Sequence, residues 1–331
     1  MTRFPNIVGA ALLPLLFAAP ALAQTGRWKQ DGDATAYVPA WLGASDRAAT
    51  LGTLDALLAI LKRDPALAQP TGFDVVVKRS LVFPTSAEWS RPHPVPAGIV
   101  GFAIPYGRDA AGRPVPGHEG PGFSVKLNDL SCAFGESPVF AHDAEGDLLR
   151  APKPDGSVHG HPRYETGCVW VTHVARPIAL PVPRERVVRL RLAEMRAQQA
   201  RAESIAVPNG NAQFAAFRAQ TVAQWKAKAD SLAAELAAMS PAERRAPAYV
   251  NPFGAARASH LTTPDDPAAI ALVTINPQYF DPSLPVSAPQ GIAVRFSGVI
   301  QSRFASDALV AAFTRALDQL DWNALGALLR P

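Results

Sequence analysis

The stretch SVHGHPRYETGCVWVTH, residues 157–173, decides how the middle of this chain is read. It sets three histidines beside a cysteine, so it is either part of a metal centre or part of a strand system. Its last residues, with Val174, give CVWVTHV, a run of β-branched and aromatic side chains that predicts a strand over 168–174. Asp155-Gly156, just upstream, is a turn dipeptide. His159 and His161 are two apart and share one face of an extended chain. They make half of a metal site if a third ligand arrives from His173, His142, His118 or Glu119. A Zn²⁺ ion held with an open position would be hydrolytic. Histidines beside turns more often serve as exposed or hydrogen-bonded structural groups. That is the reading adopted here, with no metal and no cofactor.

Cys168 has one counterpart, Cys132, 36 positions upstream and also beside a strand-like run, FSVKLNDLSC (123–132). Paired, the two would staple neighbouring β elements. In the chain-entropy account a loop of that size contributes about 3–4 kcal/mol. Two buried thiols, or a cysteine nucleophile activated by His142, His159, His161 or His173, are the other readings.

The compartment decides between them. MTRFPNIVGAALLPLLFAAPALAQTG (1–26) has one early arginine, an apolar run from Ile7 to Ala18 and a small-x-small ALA at 21–23. This is the pattern of a secretory leader of residues 1–23, cleaved before Gln24. The run is shorter than the roughly 20 residues a membrane span needs. A periplasmic or secreted protein is therefore expected, with no integral membrane segment once the leader is gone. Disulfides persist in such compartments. Losing the leader removes one arginine and no acid, leaving 31 basic against 28 acidic residues. That balance does not call for nucleic acid, and the basic residues are not interleaved with aromatics for base stacking.

Outward from the opening stretch the β signals continue on its N-terminal side: 72–83 with three successive valines, 97–107, 122–130, and a hairpin around Asp143–Asp147. Before them, Leu51, Leu54, Leu57, Leu58 and Leu61 stripe a helix over 46–62. Beyond 180 the chain turns helical. The spacing predicts helices over 183–204 and 212–240, the second with Phe214, Phe217, Trp225, Leu232 and Leu236 on one face. Strands at 268–280 and 291–300 and a helix over 306–320 capped by Ser306 complete the chain.

The expected fold is α+β: a largely antiparallel β-sheet with packed N- and C-terminal helices and a long antiparallel helical hairpin. A helix-plus-β region at 24–180 is followed by the hairpin at 181–246 and a β-β-α segment at 247–331 that packs back on the β region.

Little in the chain carries chemistry. G-x-S-x-G, H-E-x-x-H, the P-loop and the dinucleotide fingerprint G-x-G-x-x-G are all missing from the sequence. Acids in the β region, Asp129, Glu136, Asp143 and Glu165, are of the type glycosidases pair, but no spacing rule operates across strands. The expectation is a non-catalytic binding or interaction protein whose partner is a protein or an envelope component. Phe214, Phe217 and Trp225 are then the anchors on the helical pair. The alternative is a cell-envelope hydrolase, with or without a metal, sited near His159 and His161 with His173 and Asp129.

Overall fold

A computed structural model describes residues 25–34, 42–81, 94–111, 113–117, 119–135, 139–208, 211–254, 257–297 and 307–329. The leader read at 1–23 and the Ser306 cap lie outside the described residues.

The elements begin with β1 (Trp28–Ala34), α1 (Ala44–Arg63), β2 (Phe73–Leu81), β3 (Ala97–Arg108), β4 (Pro114–Pro116), β5 (Gly122–Leu127) and α2 (Ser131–Phe134). The middle follows as β6 (Val139–Asp143), β7 (Gly146–Arg150), β8 (Pro154–Val158), β9 (His161–Tyr164), β10 (Cys168–Thr172) and β11 (Ala179–Pro181). Then come α3 (Arg184–Ser204), α4 (Ala212–Ala238), α5 (Pro241–Arg245), β12 (Tyr249–Val250), β13 (Ile270–Ile275), β14 (Gly291–Ser297), α6 (Asp307–Gln319) and α7 (Trp322–Leu328). Helices and sheets are both substantial, a mixed α+β fold.

The strands divide between two sheets. The larger runs β1-β2-β3-β5-β14-β10-β9-β8, with β4 paired beside β3. Only β1 lies parallel to its neighbour. β14, from the C-terminal third, sits at its centre, pairing Val294 with Val125 of β5 and with Val169 of β10. The smaller sheet runs β11-β13-β7-β6, with β12 beside β13.

Each sheet has a core on one face. Alternation sends Val75, Val77, Ile99, Val125, Leu127, Val169, Val171, Ile292 and Val294 to the same side of the large sheet. They pack there with the leucines of α1 and with Leu309, Phe313, Trp322 and Leu325 of α6 and α7. The second core joins Leu148 and Leu272 of the small sheet to Val187, Val188 and Leu192 of α3 and to Ala229 and Leu232 of α4. Side chains from the start of α3 thus meet side chains from the last third of α4.

Two local readings change. Asp155-Gly156 is not the reversal. Gly156, at φ 134°, sits in an irregular register within β8, and the chain turns at His159-Gly160, with φ 49° and 83°. Two consecutive positive-φ residues match the right-handed twist of the strands they join, and histidine is among the residues that tolerate this region. The 72–83 and 97–107 runs hold as β2 and β3, whereas β1, spelled WKQDGDA, has no apolar alternation that would have marked it.

Candidate functional site

The face of the large sheet turned away from the main core carries a polar recess. Where Phe123, Val125 and Leu127 point inward, Ser124 and Lys126 point outward. Ala293 and Arg295 of β14 and Cys168 and Trp170 of β10 share that outer face. α2 lies across it, fastened by the Cys132–Cys168 disulfide, whose Cα atoms are 5.4 Å apart. Thr166 Oγ1 also donates to the Cys132 carbonyl at 2.7 Å.

Close to α2, Trp170 Nε1 donates to Tyr279 Oη at 2.8 Å, and the indole packs against Gly291. A Cβ on Gly291 would come within 2.2 Å of that ring, so only glycine fits there. The result is a cleft of about 230 Å³ lined by Lys126, Asp129, Ser131, Thr166, Arg295 and the disulfide. Asp129 is held from two sides. Its Oδ2 accepts from Lys126 Nζ at 2.7 Å and its Oδ1 from the Ser131 amide at 2.9 Å. Among the described residues the lining contains no histidine, and Asp129, its carboxylate, is neutralised by its neighbouring Lys126, so the chemistry there is hydrogen bonding and charge.

The three histidines gather elsewhere, on the helix-covered face at the β8–β9 edge. His159 and His161 both lie against the Trp322 indole, with ring centroids 5.9 and 5.8 Å away. His159 Nε2 is 3.1 Å from the Asp318 carbonyl near the end of α6. His173 Nε2 is 3.0 Å from the Gly326 carbonyl in α7. Burial, and then the neighbouring His173 and His159, push the His161 pKa below its ordinary value. The structure therefore brings His159 and His161 together at a tryptophan, with His173 within electrostatic reach, and leaves Asp129 on the opposite side of the sheet. Among the described residues no group of three or more His, Cys, Asp or Glu is placed to hold a metal ion.

The other acids disperse. Asp143 takes a two-pronged bond from Arg186, at 2.6 and 2.8 Å, which holds its carboxyl below the usual range. Glu165 is exposed beside Lys153, and His142 pairs with Asp147. Glu136 and His118 lie outside the described residues.

On the helical pair, Asn211 Oδ1 caps α4 by accepting from the Phe214 amide at 2.9 Å. Phe217, three residues on, is 65% exposed. Trp225 is half-buried, with Lys228 Nζ 4.7 Å from its ring centroid.

Asn128, which with Asp129 makes a polar pair at the end of an apolar strand, organises the turn there. It stands at φ 56° immediately after β5, fully buried, and all its side-chain hydrogen bonds go to backbone. The signal was an asparagine next to an aspartate at a strand end, a pair suited to left-handed turns.

Compared with family models, with curated proteins and with solved structures, the chain matches none of them.

Proposed function

We propose that this chain is an exported, non-catalytic binding protein, and that α3 and α4 act as one antiparallel hairpin, the recognition arm at 181–246, which meets a protein partner. The body that carries the arm is built from 24–180 and 247–331, with the N- and C-terminal helices packed on the large sheet.

One observation carries this reading. α4 has 27 residues, an axis of about 40 Å, and its buried residues, Ala229 and Leu232, both fall in its C-terminal half. The N-terminal half, with Phe214 and Phe217, is left outside both cores. Ile205, at the end of α3 and hydrogen-bonded through its carbonyl to Arg218, is 47% exposed at the same tip. Exposed aromatic and aliphatic side chains gathered at the end of a projecting helix pair suit insertion into an apolar groove on another protein. A helix that extends beyond its own core is not explained by folding alone. Export is supported by the leader-like start and by the disulfide. Among the described residues no helix is long and apolar enough to cross a membrane.

The test is site-specific photocrosslinking in the cell envelope from position 220, an exposed site on the same helix, with the probe carried both by the parent and by the double variant Phe214→Ser/Phe217→Glu. Both side chains lie outside the cores, so the variant should fold with an unchanged circular dichroism spectrum. The expected result is a discrete crosslinked protein that the variant fails to capture. A folded variant that retains every partner would overturn the reading. Mass spectrometry of envelope protein tests export separately: the expected N-terminus is Gln24, and an intact Met1 would remove that part.

A further inference from the structure

A second concavity lies farther along the hairpin, away from the exposed Phe217 and independent of what it binds. It is a recess of about 300 Å³ between α3, α4 and the 257–260 segment. Its walls carry Arg191, Lys228, Arg257 and His260, and its floor is Met195 and Leu232. Among the described residues the lining thus holds three cations and an imidazole, with no carboxylate.

Two of these cations are already in contact with acids outside the lining. Glu194 accepts from Arg191 Nη1 at 2.9 Å. Glu235 is engaged by Ser259 Oγ at 2.7 Å and only loosely by Arg257, at 3.9 Å. Glu243 lies farther off, within electrostatic reach of Arg257. Among the described residues Lys228 has no carboxylate partner; its ammonium rests on the Trp225 ring.

These groups are set in place before any ligand arrives. The Arg191 guanidinium lies 5.6 Å from the Phe140 ring. His260 is held at φ 61°, with Nδ1 on the Gly254 carbonyl at 2.8 Å and its backbone carbonyl accepting from the Asn251 amide at 2.9 Å. Asn251 is tied in turn to Asp266, which also takes the Thr262 hydroxyl. Histidine tolerates this positive φ, and the hydrogen-bonded loop holds the ring in one place. With Nδ1 committed to a carbonyl, the other ring nitrogen of His260 remains for a ligand.

From this arrangement we infer that the recess between α3, α4 and the 257–260 segment binds a phosphate monoester, with Arg191, Lys228, Arg257 and His260 around the phosphate and Met195 and Leu232 beneath the group that carries it. Lys228, without a carboxylate partner among the described residues, stands in the same recess as Arg191 and Arg257, and a dianion with three acceptor oxygens can take a hydrogen bond from each of the three. The volume is at the small end for ligand pockets, so the bound part is a small head. That head is either a soluble phosphate ester or the terminal phosphate of an envelope lipid.

Calorimetric titration of the full-length mature protein with glycerol 3-phosphate, with inorganic phosphate as a second probe, gives the first arm. Flotation with phosphatidic acid vesicles, against phosphatidylcholine vesicles, gives the second. The expected result is saturable binding in at least one arm, weakened about tenfold in Lys228→Met and in Arg257→Gln. Lys226→Met, whose ammonium pairs with Asp230 outside the recess, should bind as the parent does. Saturation by glycerol 3-phosphate assigns a soluble ester. Flotation with phosphatidic acid alone assigns a lipid. Heat-free titrations up to about 10 mM together with no flotation, equal binding to phosphatidylcholine, or equal affinity in all three variants would each overturn the inference. The two cleft variants alter exposed or half-exposed side chains. A variant that failed to fold would be replaced by Arg257→Lys, expected to keep the charge, lose the forked geometry and bind with intermediate affinity.

Discussion

Asn128 and Gln290 are 162 positions apart in the chain and joined by a buried hydrogen bond of 2.8 Å, from the Gln290 amide to Asn128 Oδ1. The same oxygen accepts from the Gly291 amide, and Asn128 Nδ2 donates to the carbonyls of Val95 and Ala288. One side chain therefore satisfies four backbone groups from two separate segments of the chain, at Val95 and over 288–291. It fixes where the 288–291 segment enters the large sheet as β14, and with it the alignment of Ala293 and Arg295 in the outer cleft.

Replacing Asn128 with alanine leaves those four groups buried without partners and keeps a positive φ that alanine disfavours. The expected loss is about 3–5 kcal/mol. Asn128→Asp retains the acceptor but turns an oxygen toward the carbonyls of Val95 and Ala288, so it too should be strongly destabilising. Asn128→Gly relieves the backbone and loses the bonds, and should fall between the parent and alanine. Urea unfolding reads all three as shifts in midpoint. A midpoint for Asn128→Ala equal to the parent's would show that the clamp contributes nothing.

The histidine cluster gives a pH dependence of definite sign. His161 titrates below its ordinary 6.5 because burial, His173 and His159 oppose its charge. The folded state therefore takes up its proton less readily than the unfolded chain. The stability this site supports is fully present above about 6.5 and is lost as pH falls from there toward the lower, folded value. His161→Phe keeps an aromatic ring beside Trp322 and removes the proton. The parent should lose more stability than this variant on going from about pH 8 to about pH 5. Hydrogen exchange should place the parent's extra loss in α7 and β9. Identical pH profiles for the two proteins would contradict the assignment.

How far the sequence reached depended on whether a feature was local. The leucine stripe of α1, the valine run of β2 and the CVWVT run of β10 each carry their period within a few residues, and each forms where its period puts it. The partition into two sheets is not local. Short connections show that β6 and β7 pair, but only distant contacts with β13 decide that they leave the large sheet. The Asp155-Gly156 dipeptide misled because glycine at positive φ serves a strand irregularity as readily as a turn, while His159-Gly160 carries the reversal. At the candidate sites, His159 and His161 were visible as a pair. Trp322, which both rings touch, could be joined to them only through a helix more than 150 residues away. The phosphate recess was invisible because its cations come from three separate segments.

Asp64 provides the opposite pH response. It ends α1, is 3% exposed, and takes the Ala66 amide on Oδ1 at 2.9 Å, while Oδ2 is buried with no hydrogen-bond partner among the described residues. Burial is the dominant cause that lifts its pKa from 3.8 to about 6, against the lowering by the Ala66 and Leu67 amides. The negative ends of the α1 carbonyls act in the same direction as burial. Here the folded state holds its proton more tightly than the unfolded chain. Stability is therefore greatest below about 3.8, falls as pH rises toward about 6, and stays reduced above that. A shift of this size corresponds to roughly 3 kcal/mol once both states are ionised. Asp64→Asn keeps the acceptor for the Ala66 amide and abolishes the charge. It should match the parent near pH 3.5 and exceed it by about 2–3 kcal/mol near pH 7.5, measured as the difference between the two unfolding curves. Taking that difference cancels every other titrating group, including His161, so the crossover belongs to Asp64 alone. A constant offset at all pH values would mean instead that the carboxyl is solvated in the folded protein and that its second oxygen has found water.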